Sequence, residues 1–228
     1  MTIGIIGAMT EEVEPILARL GGVKSEKIGK NTYHSAEFAG KKVAAAYSRI
    51  GKVNAAITAT TLIERFGTEK ILFSGVAGAL NSALKIGDLI YATRLVQHDV
   101  DITAFGHKIG FIPETGDFFA SDSALNAIAE RIAAKRGVRL GRGVIATGDL
   151  FVADNAKKDW IKTTFGADAV EMEGASVACV CDSLGVPFFV LRAISDAADM
   201  DAGFNFDAFL RSSAEISADF VLDMVKEI

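Results

Sequence analysis

Histidine is scarce in this chain, with three copies in 228 residues, and cysteine is scarcer, with two. The histidine in His98-Asp99-Val100-Asp101 has no second cluster to complete a coordination set, so the segment reads as surface or lid rather than as a metal site. Cys179 and Cys181 stand two apart on an expected helix and face different ways. They exclude a disulfide framework and a zinc site, and they fit core packing in a reduced, cytoplasmic protein. Basic residues are outnumbered, 24 Lys and Arg against 29 Asp and Glu, for a formal net charge of -5. That balance argues against a nucleic-acid backbone as partner, and no basic run suggests a membrane surface. No apolar run is long enough to span a bilayer. The N-terminus lacks a basic region, and Glu11-Glu12 interrupt its apolar stretch early, which excludes a signal peptide. Familiar site signatures are missing too. Gly4-Ile5-Ile6-Gly7 lacks the dinucleotide spacing, Gly75-Val76-Ala77-Gly78 has no Lys-Ser/Thr after it, and no G-x-S-x-G elbow occurs. The first glycine pair suits close packing of a buried strand. The second suits either a tight turn or close approach of backbone to a ligand.

What is present is an α/β pattern over one domain, residues 1–228, without repeats, low-complexity stretches or linkers. Strands are expected at 2–8, 32–38, 42–48, 70–74, 88–96 and 138–146, at the apolar run ending in Val170, and at 187–194. Helices are expected from Thr10, as N-cap, to the stop at Gly21-Gly22, and over 52–66, 121–136, 156–165, 174–184 and 207–226. The architecture implied is a mixed, partly parallel central sheet flanked by helices. Between His98 and Phe119 Gly, Pro and aromatic residues mix without a period, over a length unusual for a passive connector.

Three strands end in carboxylates. The first runs into Glu11-Glu12, the strand to Val170 into Glu171-Met172-Glu173, and the strand to Ile194 into Ser195-Asp196. The carboxyl ends of strands are where α/β folds bind ligands, so Glu12, Glu173 and Asp196 are expected to converge on one pocket. Alternation along an extended segment puts Glu171 and Glu173 on one side and Met172 on the other, unless the chain turns between them. Singly, each acid has a plain structural reading: a first-turn acid at a helix dipole for Glu12 and Glu173, a cap for Asp196.

The stretches 3–9 with Glu11-Glu12, Ser48-Arg49-Ile50-Gly51-Lys52-Val53-Asn54-Ala55, Gly75-Val76-Ala77-Gly78, 99–105, Thr147-Gly148-Asp149-Leu150-Phe151, Val170-Glu171-Met172-Glu173-Gly174-Ala175 and Arg192-Ala193-Ile194-Ser195-Asp196 together resemble the bacterial 5′-methylthioadenosine/S-adenosylhomocysteine nucleosidases. These have the purine nucleoside phosphorylase-like fold. The resemblance covers nearly the whole chain, in family order. It implies hydrolysis of the bond between adenine and a 5′-thio-substituted ribose, with no metal or organic cofactor. It assigns Asp196 as the acid to purine N7 and Glu12 as the base that activates water. Glu173 and Met172 hold the ribose, Phe151 stacks on adenine, Val152 gives backbone hydrogen bonds, and Arg192 sits near the water. The motif residues Val76, Ala77, Gly78, Glu171 and Ser195 complete the expected substrate contacts. Met9, Ile50 and Phe206 line the 5′ pocket, with Ile102, Phe105, His107 and Pro113 reaching in from the second copy of a homodimer. Val76 departs from the serine of many members. It is similar there to a subset that also acts on 6-amino-6-deoxyfutalosine in menaquinone synthesis.

The chemistry is coherent on its own terms. Protonation improves adenine as a leaving group, carboxylates stabilise an oxocarbenium-like sugar, and a base strengthens water as nucleophile. Two alternatives stay open at this point. A phosphorylase of the same fold needs a cationic phosphate cradle where this chain has Glu11-Glu12. A nucleoside-binding protein without chemistry keeps the fold but has no need of all three acids.

Overall fold

Lys70–Ala79 forms the longest strand, and nine of its ten residues are buried. A strand covered on both faces belongs in the middle of an α/β sheet, and its neighbours bear this out. In the computed structural model, which describes residues 1–199 and 202–228, the elements follow in the order β1 (Thr2–Gly7), α1 (Thr10–Arg19), β2 (Gly21–Ile28), β3 (Asn31–Phe38), β4 (Lys41–Tyr47), α2 (Lys52–Phe66), β5 (Lys70–Ala79), β6 (Leu89–Gln97), β7 (Phe119–Ala120), α3 (Ser123–Arg136), β8 (Leu140–Thr147), α4 (Asn155–Phe165), β9 (Ala169–Glu171), α5 (Gly174–Leu184), β10 (Phe188–Asp196) and α6 (Ala202–Glu227). A single 3-10 turn lies at Thr103–Phe105.

All the strands join one mixed sheet. β1, β4, β5 and β10 run parallel as neighbours, in the order β4-β1-β5-β10. β10 then pairs antiparallel with β6, β6 and β8 pair parallel, β8 and β9 pair parallel, and β9 returns antiparallel to β5. The sheet therefore closes on itself around β5-β10-β6-β8-β9, and β1-β4-β3-β2 extend from it as a tail. Closure brings the end of β9 to the same place as the ends of β1, β5 and β10.

Period-two burial divides the core. Leu72 of β5, Ile3 and Ile5 of β1 and Phe189 and Leu191 of β10 pack with Ile16 of α1 and Phe220 and Met224 of α6. Their alternating neighbours Phe73, Ile6 and Val190 pack with Leu62 of α2 and Val177 of α5. Gly4 and Gly7 serve this packing: a Cβ on either would lie 2.5 Å from Ile71 Cδ1 or 2.7 Å from Val13 Cγ2. Among the described residues no helix is long and apolar enough to cross a membrane.

The structure corrects several boundaries. Strand β2 was hidden because it is an exposed edge of charged residues, Lys24 to Lys27, with no apolar period. β5 does not open into a loop at Gly75 but continues through the glycines to Ala79. Met9, not Thr10, caps α1. Glu12 explains this, because its carboxylate reaches back to the N–H of Met9 and no hydroxyl is needed. Asp122 caps α3 through Leu125 N–H, while the Ser121 hydroxyl donates to the Ala92 carbonyl instead. α6 begins at Ala202, before the expected Asp207.

One close approach ties the closed part of the sheet together. The Asp168 carboxylate accepts from Asn81 Nδ2 and Val144 N–H, directly above Gly143. A Cβ at Gly143 would lie 2.0 Å from Asp168 Oδ2. Gly143→Ala is therefore expected to destabilise the fold by about 1–3 kcal/mol, as overpacking of a tight site does. The urea midpoint checks this; an unchanged midpoint would show that Asp168 moves aside freely.

Candidate active site

The ends of β1, β5, β9 and β10 surround a cavity of about 300 Å³, at the small end of the range for small-molecule sites. It is lined by apolar groups and by the carboxylates of Glu12, Glu171, Glu173 and Asp196.

Glu12 enters from the first turn of α1. Its Oε2 accepts from the N–H groups of Ala8 and Met9 at 2.6 and 3.1 Å, and Oε1 accepts from Val76 N–H at 3.0 Å. The carboxylate thus occupies an N-terminal anion site of its own helix. Burial nevertheless raises its pKa, outweighing Arg192 and the three N–H donors, which pull the other way.

Asp196 ends β10. Between Ile194 and Asp196 the register against β5 shifts by a bulge at Ser195, a device that re-aims a side chain. Ser195 Oγ donates to Asp196 Oδ2 and Ala198 N–H to Oδ1, both at 2.8 Å. Ala198 takes a left-handed φ of 50° to do so, an uncommon conformation for a residue with a Cβ. Burial raises the Asp196 pKa in spite of these donors.

The Gly75-Val76-Ala77-Gly78 stretch is neither a turn nor a loop. It is extended strand whose glycines make room for the two acids. A Cβ at Gly75 would sit 2.7 Å from Glu12 Oε1, and one at Gly78 would sit 2.7 Å from Asp196 Oδ1.

The chain turns after Glu171, so simple alternation fails there. β9 stops at Glu171 and α5 starts at Gly174. Glu171 folds back onto protein. It accepts from Gly174 N–H, Glu173 N–H, the Thr147 hydroxyl and Arg192 Nη2, the last at 2.6 Å. Arg192 does not line the cavity. It is buried behind the wall, with Nη1 on the carbonyls of Phe73 and Leu191. Glu173 remains free toward the cavity apart from one donor, Gly51 N–H at 2.8 Å. Burial first, and the neighbouring Glu171 second, push its pKa up to about 8.

Phe151 and Val152 stand on one side, with Phe151 edge-to-face against Phe206 at 5.7 Å. Met9, Ile50, Val76, Ala77, Gly78 and Met172 also line the cavity. Ile102, Phe105, His107 and Pro113 do not; Phe105 is 82% exposed. Sequence reasoning missed Ala8, Leu150 and Val170 as lining residues and Gly51 as donor. Position beside quoted motif residues was their only signal, and a backbone N–H leaves none. His98 is not on the surface. It is fully buried, with neither ring nitrogen hydrogen-bonded. Cys181 is buried and Cys179 half-buried, both as free thiols. Among the described residues no three His, Cys, Asp or Glu side chains gather as a metal site needs.

The raised Glu173 carboxyl has a stability consequence. Folding lifts its pKa from 4.5 to about 8. Its contribution is therefore full below the unfolded value and is lost as pH rises through the folded one. Glu173→Gln keeps the neutral shape, so its Tm is expected to gain on that of the native protein between about pH 5 and about pH 9. Calorimetry across that range checks it; a constant Tm difference would mean an ordinary carboxyl.

Comparison with known proteins agrees with this geometry. Residues 2–226 match the family model described as the phosphorylase superfamily. The chain is 50% identical to the aminodeoxyfutalosine nucleosidase of Campylobacter jejuni, over the full length of both. It is 45% identical to the 5′-methylthioadenosine/S-adenosylhomocysteine nucleosidase of Actinobacillus succinogenes, again over both full lengths. The structure superposes with a TM-score of 0.99 on the Helicobacter pylori 5′-methylthioadenosine/S-adenosylhomocysteine nucleosidase with butyl-thio-DADMe-Immucillin-A, at 50% identity, covering 100% of this chain and 99% of that one. With family model, full-length identity and superposition in agreement, the chain belongs to the phosphorylase superfamily and, within it, to the N-glycosyl hydrolase family of the 5′-methylthioadenosine/S-adenosylhomocysteine nucleosidases.

Proposed function

We propose that this cavity hydrolyses the N-glycosidic bond of adenine nucleosides substituted at the 5′ position, 5′-methylthioadenosine, S-adenosylhomocysteine and aminodeoxyfutalosine among them. The observation that carries the reading is the pair of buried carboxyls, Glu12 and Asp196, set against Gly75 and Gly78 of one strand. Their seats lie three residues apart on β5 rather than at one point, which suits two separate tasks, one at the attacking water and one at the leaving base. Glu12 takes the proton of the water. Asp196, whose proton affinity burial raises, donates to N7 as the bond breaks. Adenine lies against Phe151 and the backbone at Val152, and the ribose hydroxyls lie on Glu173 beside Met172. The 5′ group runs out past Met9, Ile50 and Phe206. At Val76 the backbone N–H, not the side chain, serves Glu12, so a side-chain hydroxyl is dispensable there. Free cysteines fit a cytoplasmic enzyme.

Water rather than phosphate is the acceptor on this reading. The N–H groups at the start of α1 that would cradle a phosphate are already taken by Glu12, and a second anion there meets like charge. Adenine release from methylthioadenosine is expected to be the same with and without phosphate, with free sugar as product. Asp196→Asn is expected to cut that release by at least about 10²-fold while the protein stays folded. Near-native turnover by the folded variant would remove Asp196 from the role of acid.

The active form on this reading is a two-fold dimer. Ile50, Val53 and Ile57 on and before α2, Leu150 at the cavity mouth and Phe105 are all large apolar side chains left exposed. Large apolar side chains left exposed in this number suit burial against a partner. A second copy offers Ile102, Phe105, His107 and Pro113 to close the 5′ end of the neighbouring cavity. Light scattering is expected to give twice the 24.1 kDa chain mass. Phe105→Ala is expected to raise KM at least about tenfold for 5′-alkylthio substrates, from the apolar burial lost. A fully active monomer would sink the dimer.

A further inference from the structure

The cavity wall is held by groups that never touch the cavity. Helix α2 has a glycine at its N-cap, Gly51, with φ 98° and no side chain to cap with. The cap comes instead from the other end of the domain: Lys52 N–H donates to Asp149 Oδ1 at 2.8 Å. The Lys52 ammonium donates to Asp99 Oδ1 at 2.7 Å and to Gln97 Oε1 at 3.2 Å. Asp99 Oδ2 accepts from Asp149 N–H at 2.9 Å. The three residues form a closed ring, each making two of its contacts.

Each member adjoins a different part of the site. Lys52 follows Gly51, whose N–H is the one donor to Glu173, and the Lys52 carbonyl accepts from Ser176 on α5. Asp149 precedes Leu150 and Phe151, which line the cavity. Asp99 opens the segment that carries Ile102 and Phe105, and His98 beside it packs on the Asp149 loop. A Cβ at Gly148 would lie 2.4 Å from His98 Nε2. The packing leaves no slack on either side of Asp149: a Cβ at Gly51 would sit 3.0 Å from Asp149 Oδ1. The Lys52 and Asp99 side chains are 18% and 28% exposed, so the pair is partly desolvated rather than a free surface bridge. Lys52 and the Asp149 N–H overcome the effect of burial and hold the Asp99 carboxyl below its ordinary range.

We propose that Lys52, Asp99 and Asp149 act as positioning residues, one ring that fixes the Gly51 N–H on Glu173 and the Phe151 loop over the base subsite. The ring holds the empty cavity in its binding shape, so its loss weakens ground-state and transition-state binding alike. Such uniform loss appears in KM rather than in kcat.

Two measurements test this, and the second rests on the nucleosidase reading while the first does not. Asp99→Asn keeps one acceptor for Lys52 but turns an amide donor toward the Asp149 N–H. Lys52→Met removes the ammonium and keeps the backbone cap; Lys52→Arg conserves the ion pair. Hydrogen exchange of the ligand-free proteins should show amides 51–52 and 148–152 exchanging at least about tenfold faster in Asp99→Asn and Lys52→Met, with the rest of the protein unchanged. Lys52→Arg should stay near native. With methylthioadenosine, KM should rise about tenfold in each disrupted variant with kcat within about threefold, and the double variant should be no worse than either single one. Unchanged local exchange, or KM effects that multiply in the double variant, overturns the ring. A native protein that releases no adenine overturns the functional reading instead, and exchange still decides the ring.

Discussion

Arg192 lies in the middle of β10 with 1% of its surface exposed, the only fully buried Arg or Lys among the described residues. It lies behind the wall of a cavity lined by four carboxylates. Burying a guanidinium costs several kcal/mol unless its donors and charge are matched. Here Nη1 meets two carbonyls, Nη2 meets Glu171, and the plane lies 4.0 Å over the Phe73 ring. The match consumes the cation. Glu171 takes the full ion pair and spends its other lone pairs on Thr147 and the start of α5. Glu12 receives Arg192 only through space, and Asp196 receives a distant Lys158. Three carboxyls are therefore left with burial as their largest influence, and all three have raised proton affinity. Each holds a proton more tightly than an exposed carboxyl does, which is the direction general acid chemistry needs.

Space for those acids comes from glycine. Two positions of β5 carry no Cβ, and an acid from α1 and another from β10 fill the room so made. An alanine at either would push a carboxylate off its donors. The strand thereby seats the two carboxyls three residues apart along itself, independent of any loop. Chemistry that needs two groups at fixed separation is better held by a strand than by loops.

The fold class was legible because β1, β5 and β10 are continuous apolar runs and α2, α3 and α5 end at Gly67, Gly137 and Gly185, each left-handed. The convergence of Glu12 and Asp196 was legible for a related reason: the carboxyl ends of the parallel strands β1, β5 and β10 share one edge. What escaped reading was whatever depends on closure. Nothing in 169–171 says that β9 pairs with both β8 and β5, yet that pairing turns Glu171 onto Arg192 and Glu173 into the cavity. The glycines of β5 looked like a loop because glycine breaks strands on average; the acids that require them lie far away in sequence. His98 looked superficial because charged neighbours surround it, although tertiary packing seats it against Gly148. Edge strand β2 carries no buried face and so no pattern.

Glu12 joins the fold to the chemistry. A helix N-terminus at the end of the first strand is an anion site in any protein that builds one, and a superfamily of phosphorylases has an evident use for it. In this chain a carboxylate three residues into the helix turns back and takes the N–H of Ala8 and Met9, and β5 adds Val76 N–H. Those donors are spent on a buried carboxylate rather than left open to an anion. Those donors alone would lower its proton affinity, which would make it a poor base; burial more than reverses them. On the proposed reading, one side chain closes the site to an anionic acceptor and equips it to deprotonate a neutral one, so hydrolysis follows from where that carboxylate sits.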